Sequence, residues 1–305
     1  MTPPVTMLMK TQNEQRFVEA AVRSALAQDY ENLELLIWDK GSTDGTSAIV
    51  RRLVRHYHGP HRVRLFGPRR TPFPSFEPSA RMMEQATGEY IVLAHGDDVQ
   101  KPERVRRIVA AFEREGAGAL SSTAHVIDGR GRHLRDHNRL HDSEAFRANW
   151  TAHEFVEQAG SPACFGCGLA WHRSVFDVFG PLREGPRNID VMIPFRGALL
   201  GGNHYIEEPL VHRRVHRSNR SLPLARQRAL RPVARARIRD REIGNRAANF
   251  LRMIEDLETL GEPPATNPEL DLAWCRRKLD EHLRRILDRW VNHRRRMAHA
   301  GHIRP

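Results

Sequence analysis

The chain has 305 residues, 40% of them hydrophobic, a formal net charge of +12 and three cysteines. That length suits one large domain with an appendage, three cysteines argue against a disulfide framework and for a reducing compartment, and no apolar run approaches the roughly 20 residues that span a bilayer. The charge admits nucleic acid, anionic lipid or anionic substrate as partners, but no basic face interleaved with aromatics and no zinc-finger spacing is present, so nucleic acid is not an expected partner. Met1–Pro4 carries no basic-then-apolar leader pattern, and a cytoplasmic location is expected.

The first expected strand is Val5–Lys10, ending in the polar turn Thr11-Gln12-Asn13-Glu14. Phe17, Ala20, Ala21, Ser24, Ala25 and Ala27 then recur at helical spacing. Leu33–Trp38 reads as a buried strand, stopping at Asp39-Lys40-Gly41-Ser42-Thr43-Asp44-Gly45-Thr46, which opens a helix over Ser47–His56. Val63–Phe66 is a third strand, the Pro-rich Gly67–Pro78 a loop, Ser79–Ala86 a short helix and Ile91–Ala94 a fourth strand. Strands alternating with helices predict a mostly parallel sheet covered on both faces. Ligands of such sheets sit beyond the carboxyl ends of the strands, where the polar clusters at 11–14, 39–46 and 95–98 all fall.

Further on, Ala119–Val126 and Phe165–Trp171 read as strands, and Ser174–Phe179 as a helix stopped by Gly180-Pro181. A helix starts at Ile189-Asp190-Val191 and runs to Leu200, and Ile206–Val215 is extended but interrupted at Pro209. Cys164-Phe-Gly-Cys167 has zinc-like spacing without a second pair, and reads better as two small buried residues on a strand. In the tail, Ile243, Ala247, Phe250, Ile254 and Leu257 form one apolar seam, Gly261-Glu-Pro-Pro264 breaks it, and Asn267-Pro268 supplies an N-cap and first helical position. Leu279, Leu283, Ile286 and Trp290 form a second seam, so the tail is a helical hairpin. Residues 226–305 hold 19 Lys/Arg and 11 Asp/Glu, most of the net charge. The seams favour packing on the body or pairing of two copies, while the arginine excess, including Arg294-Arg295-Arg296, allows peripheral contact with an anionic membrane face.

Asp97-Asp98 is the most informative pair. Two carboxylates at the end of a buried strand are costly without a cation beside them, and a hard divalent ion is the usual remedy. The alternative is a turn that caps the helix starting near Pro102.

Thr11-x-Asn13, Gln28-Asp29-Tyr30, Asp39-x-Gly41-Ser42-Thr43-Asp44-Gly45-Thr46, Gly88-Glu89-Tyr90-Ile91 and Gly96-Asp97-Asp98 resemble, in order and spacing, the family 2 glycosyltransferases of GT-A fold, over residues 5–220. The resemblance implies an α/β fold with a Rossmann-like, mostly parallel sheet, a catalytic domain over 1–220 (nucleotide-binding half 1–100, acceptor half 101–220) and a helical extension over 221–305. It implies transfer of a sugar, usually with inversion, from a nucleotide-sugar donor to a polysaccharide, lipid-linked or small-molecule acceptor. Thr11, Asn13, Glu14 and Asp39 would serve the nucleotide, Asp98 would hold Mn²⁺ or Mg²⁺, and Asp97 would contact ribose or metal. His216, in an Arg214-x-His216 segment, is the candidate second metal ligand. Asp190 is the expected general base, with Glu184 as an alternative and a favourable helix N-terminus as the bland explanation. The chain departs from the family pattern at His95, where many members carry Asp, and at Gln12 and Lys40, where uridine-binding residues often stand. Lys40 would meet a base edge or phosphate, or point into solvent. These departures keep a catalytically silent sugar-nucleotide-binding protein open, and a nucleotidyltransferase is disfavoured because Met9-Lys10-Thr11-Gln12 is not a Gly-rich phosphate loop.

Overall fold

The computed structural model describes residues 2–67, 82–136, 149–159, 166–182, 189–216, 219 and 232–300. Ten strands form one sheet: β1 (Val5–Thr11), β2 (Leu33–Asp39), β3 (Arg62–Phe66), β4 (Tyr90–His95), β5 (Val99–Gln100), β6 (Ala119–Ile127), β7 (His133–Asp136), β8 (Asn149–Trp150), β9 (Leu169–His172) and β10 (Asn203–Arg214). Their order is β3-β2-β1-β4-β9-β6-β10-β5, with β7 beside β6 and β8 beside β10. The β3-β2-β1-β4 half and the β6–β10 pair are parallel, as the alternation of strands and helices predicts. The antiparallel β9 joins these two parallel parts.

Helices cover both faces. Val18–Leu26 (α1), Thr46–Arg55 (α2) and Arg104–Glu115 (α3) lie on the side to which Met7, Met9, Leu35, Ile37, Val92 and Ala94 point. The other face, built on Leu8, Leu36, Ile91 and Leu93, is closed by Ala152–Glu157 (α4), Ser174–Phe179 (α5), Ile189–Leu200 (α6) and a hairpin of Pro232–Leu260 (α7) and Leu272–His299 (α8). Because a strand's side chains alternate, each central strand contributes to two separate cores.

The hairpin spends both of its expected seams within this chain. Ala247, Phe250, Ile254 and Leu257 from α7 and Leu279 and Ile286 from α8 are buried in the same cluster as α6. A salt bridge anchors it: Arg196 Nε and Nη2 donate to Asp256 at 2.8 and 2.9 Å, and both side chains are fully buried. Arg196 Nη1 also donates to the carbonyl of Gly180 at 2.7 Å, so the charge is satisfied on more than one side.

Three sequence expectations are corrected. The second tail helix begins at Leu272, with Asp271 as its cap accepting from the Trp274 amide at 2.8 Å, and not at Asn267-Pro268. Asn267 instead donates to the carbonyls of Ala198 and Leu199 at the end of α6, which recruits it away from helix capping. The segment around Pro209 is not interrupted: β10 runs through it with a local shift in register against β6, which accommodates a residue lacking an amide hydrogen. Gly166–Gly168 forms a 3-10 turn, so the strand starts only at Leu169, and Cys167 is buried in that turn. Of the helix expected over 79–86, residues 82–85 are helical and the first three lie outside the described residues. Cys164, Glu184 and most of the loop expected over Gly67–Pro78 also lie outside them. No described helix is long and apolar enough to cross a membrane.

Candidate active site

The carboxyl ends of β1, β2, β4 and β10 converge on one rim. The first two loops are stapled together by short polar side chains. Asp39 Oδ1 accepts from the Gly41 and Ser42 amides at 3.2 and 2.9 Å and from Ser42 Oγ at 2.7 Å, while Ser47 Oγ donates to its other oxygen. Asn13, held at φ 56°, accepts from the Thr43 amide at 2.8 Å and donates its own amide to Ser42 Oγ at 2.9 Å. Asn tolerates this left-handed backbone better than most residues. Thr11 is buried, and its carbonyl accepts the Lys40 amide at 2.9 Å. Lys40 is itself buried, which removes the solvent-pointing alternative.

Glu14 lies beneath the turn after β4. Its amide donates to Thr46 Oγ1 at 2.8 Å, and its carboxylate accepts from the Gln12 amide at 3.3 Å. Gly96 leaves the space it needs, since any side chain there would collide with the Glu14 carboxylate and Thr11. Burial first, then the charges of Asp97 and Asp98, push the Glu14 pKa up to about 8.

The two aspartates have different surroundings. Asp98 is 3% exposed, and its Oδ1 accepts the backbone amide of Arg214 at 2.8 Å. Its Oδ2 lies 3.6 Å from His95 Nδ1. Beneath the rim, the buried Arg104 donates to the Leu93 carbonyl at 3.0 Å; burial lowers its pKa to about 10, and Asp98 works against that. Asp97 instead faces His216: Oδ2 is 3.1 Å from His216 Nε2 and accepts from Asn219 Nδ2 at 3.1 Å. Burial works to raise the Asp97 pKa, but the His216 hydrogen bond and the nearby His95 and His216 outweigh it, and the carboxyl falls below its ordinary value. Neither aspartate caps the following helix, which starts only at Arg104, so the capping alternative fails.

Arg214 ties this corner together. Its Nε donates to the Asp97 carbonyl at 3.0 Å and its Nη1 to the Asp128 carbonyl at 3.1 Å. Its guanidinium lies 5.1 Å from the Phe17 ring, which also meets the His216 ring at 4.5 Å. Beside His216 opens a cavity of about 1010 Å³, lined by the loop at Asn13–Phe17, by Asp44 and by the turn carrying Asp128, Arg130 and Arg132.

Asp190 enters from the opposite face, in the first turn of α6. Its carboxylate accepts the Gly166 amide, and a side chain at Gly166 would collide with it. Burial raises its pKa, opposed by His95, Lys10, the Gly166 hydrogen bond and Arg213. The rim therefore brings together every expected site residue: Thr11, Asn13, Glu14, Asp39, Asp97, Asp98, Asp190 and His216. Sequence reasoning missed Phe17, Asn219, Lys10, Arg213 and Gly166. Strand alternation was the available signal for Lys10, whereas the role of Gly166 depends on a turn that reads as a strand.

The residues fit a divalent ion. Oxygen and nitrogen ligands that share an octahedral ion at about 2.1 Å stand about 3 Å apart, which is the Asp97–His216 spacing. His95, Asp97 and Asp98 also offer ligand atoms within 4.8 Å of one another. A set mixing carboxylate and imidazole suits Mn²⁺ better than Mg²⁺.

The family model described as glycosyl transferase family 2 matches residues 6–180. An uncharacterised glycosyltransferase of Nostoc sp. is 25% identical over 226 residues, covering 72% of this chain and 67% of the relative. The succinoglycan biosynthesis protein ExoO of Rhizobium meliloti is 30% identical over 133 residues, 44% of this chain and 36% of its own length. Among solved structures, S. aureus TarS 1-349 in complex with UDP-GlcNAc superposes with a TM-score of 0.54 at 14% identity, over 95% of this chain and 92% of that one. The mannosyltransferase PcManGT from Pyrobaculum calidifontis, in complex with GDP-Man and Mn2+, gives 0.54 at 18% identity, over 94% and 76%. The chain belongs to glycosyl transferase family 2 and has the GT-A fold.

Proposed function

We propose that the chain transfers a sugar, with inversion, from a nucleoside-diphosphate sugar to a hydroxyl of a glycan-type acceptor. The observation that carries this is the opposition across one rim of the Asp97–His216 pair, at metal-ligand spacing, and the half-buried Asp190. Two structural neighbours that hold UDP-GlcNAc, or GDP-Man with Mn2+, support the donor class.

In this reading Asp97 and His216 would hold Mn²⁺ or Mg²⁺, and the ion would stabilise charge developing on the departing diphosphate. Asp98, the ligand expected from the sequence, keeps Oδ2 for an ion while its Oδ1 accepts the Arg214 amide; Asp97 is taken ahead of it in this reading because it stands at ligand spacing from His216. Asp98 then positions the end of β10, and through it His216. Thr11, Asn13, Glu14 and Asp39 shape the nucleotide loops. Asp190 takes the proton of the acceptor hydroxyl, its orientation fixed by the Gly166 amide. Residues 1–220 form the catalytic body, and 221–305 brace α6, which carries the base. The cytoplasmic reading is supported by Cys167 and Cys275, both free and buried.

Release of sugar from UDP-, GDP- and dTDP-linked donors, measured with Mn²⁺ and with a chelator, tests the reading. Metal-dependent turnover of at least one donor is expected. Donor binding without turnover under any condition points to the silent sugar-nucleotide-binding protein, and loss of the nucleoside monophosphate to a second substrate points to a nucleotidyltransferase.

A further inference from the structure

The rim has two sides of opposite charge. On the face covered by α6, Leu8, Leu36 and Leu93 form core. Two residues further along, the same side of each strand presents Lys10, Trp38 and His95. Lys10 is the register partner of both Trp38 and His95, so the three lie side by side. Arg213 precedes Arg214 on β10 and points the other way: Arg214 reaches Phe17 and Asp128, while Arg213 joins Lys10 and His95 among the charges acting on Asp190. Trp38, stacked on Phe66 at 5.6 Å, adds an aromatic wall beside them.

The carboxylates Glu14, Asp97 and Asp98 gather where an ion would be held, and His95, with Nδ1 3.6 Å from Asp98, stands between that side and the other. The α6 side gathers nitrogens from three strands around one carboxylate. His95 sharpens this polarity, since it stands where a carboxylate would have added negative charge. Three such groups exceed what orienting a neutral sugar hydroxyl requires, but they match the charge-assisted hydrogen bonds that a carboxylate or phosphate accepts.

Building on the sugar-transfer reading above, we propose that Lys10, His95 and Arg213 form an anion subsite that recognises a carboxylate or phosphate carried by the transferred sugar or by the acceptor. The subsite lies beside the base, so an acidic substituent there would hold the reacting hydroxyl or the anomeric carbon in register with Asp190.

Calorimetric titration of the full chain with Mn²⁺ supplies the first arm of the test: UDP-glucuronate against UDP-glucose, and GDP-mannuronate against GDP-mannose. The second arm measures competition with donor by glucuronate and by glycerol phosphate, each against its neutral counterpart. In one arm the acidic member binds about tenfold tighter or more, as one charge-assisted hydrogen bond provides. A preference in the first arm assigns the anion to the transferred sugar, and one in the second to the acceptor. Lys10→Gln and Arg213→Gln each bring the ratio towards one, and Arg213→Lys retains most of it. Ratios within about twofold in both arms, or a ratio that survives both glutamine substitutions, overturn the proposal. A change confined to the pH profile, with the ratio at one, also overturns it and leaves the cations as tuners of Asp190. Failure of UDP and GDP themselves to bind overturns the donor reading instead, and the subsite with it.

Discussion

Replacing Asp97 and Asp98 separately by alanine should produce opposite losses. Asp98→Ala strands the Arg214 amide, now bonded to it at 2.8 Å in a position closed to water. An unsatisfied buried donor costs about 1–3 kcal/mol, and the buried Arg104 loses a nearby counter-charge, so about 2–4 kcal/mol is expected. At about 2.1 cal/mol/K per residue, a chain of this size has an unfolding entropy near 0.6 kcal/mol/K, and the melting temperature should fall by about 3–6 °C. Asp97→Ala takes an acceptor from His216 and Asn219 at the rim, but also the charge that helps force Glu14 to hold a proton, so the two effects oppose each other. Its melting temperature in chelator should stay within about 2 °C of the parent or rise. Its Mn²⁺-dependent donor binding should fall by about tenfold or more, as expected when one of two first ligands is lost. Thermal melts in chelator, paired with Mn²⁺ titration of donor binding, read both quantities. If Asp98→Ala melts with the parent while Asp97→Ala loses several degrees, the division of roles is wrong.

Other outcomes follow from the same geometry. Asp190→Asn should bind donor normally and lose about 10²–10⁴ in turnover; the acid limb of the parent's pH–rate profile should lie above the ordinary aspartate range, because burial raises this carboxyl, and should vanish in the variant. Glu14, with its pKa raised to about 8, binds a proton in the folded chain that the unfolded chain has released, so metal-free stability should decline as pH rises from about 4.5 to 8. Glu14→Gln should flatten that decline, measured by urea unfolding at pH 5 and pH 9. Asp256→Ala takes the counter-charge from the buried Arg196 and should cost about 3–5 kcal/mol, while the apolar pair Arg196→Met with Asp256→Leu should recover most of it. On the outer face of α8, Leu287 and Val291 are exposed between Arg284 and Arg295; flotation with anionic vesicles that weakens in salt and on charge reversal of these arginines would show peripheral membrane contact, and no flotation would exclude it.

The central strands were legible because short apolar runs with polar ends carry their own boundaries. Val5–Lys10 became Val5–Thr11, and Leu33–Trp38 became Leu33–Asp39. The loops at 11–14 and 39–46 were legible as a site because Asn13 and Asp39 bond to neighbours through chemistry that short polar side chains advertise. The different partners of Asp97 and Asp98 were not. They depend on Arg214, 116 residues away along the chain, and no local pattern specifies which carboxylate a distant amide selects. The strand expected over Phe165–Trp171 is present as β9, but its antiparallel direction was not legible for the same reason, since four residues after a glycine turn reveal neither direction nor partner.

The start of α8 failed differently. Asn267-Pro268 has the composition of a helix start, yet Asn267 is used by the carbonyls of Ala198 and Leu199. Those carbonyls end α6, the helix whose first turn holds Asp190. A residue that would serve its own helix locally is drawn into completing the helix that carries the candidate base. Arg196 and Asp256 act on the same helix from its flank. The hairpin is thereby tied to α6 in its middle and at its end, which leaves the first turn free to project from the rim. Its basic outer face and its buried inner face then answer to different pressures. The inner face sets where Asp190 stands, and substitutions there should change turnover through position, while substitutions on the outer arginines should leave the chemistry of the rim unaltered.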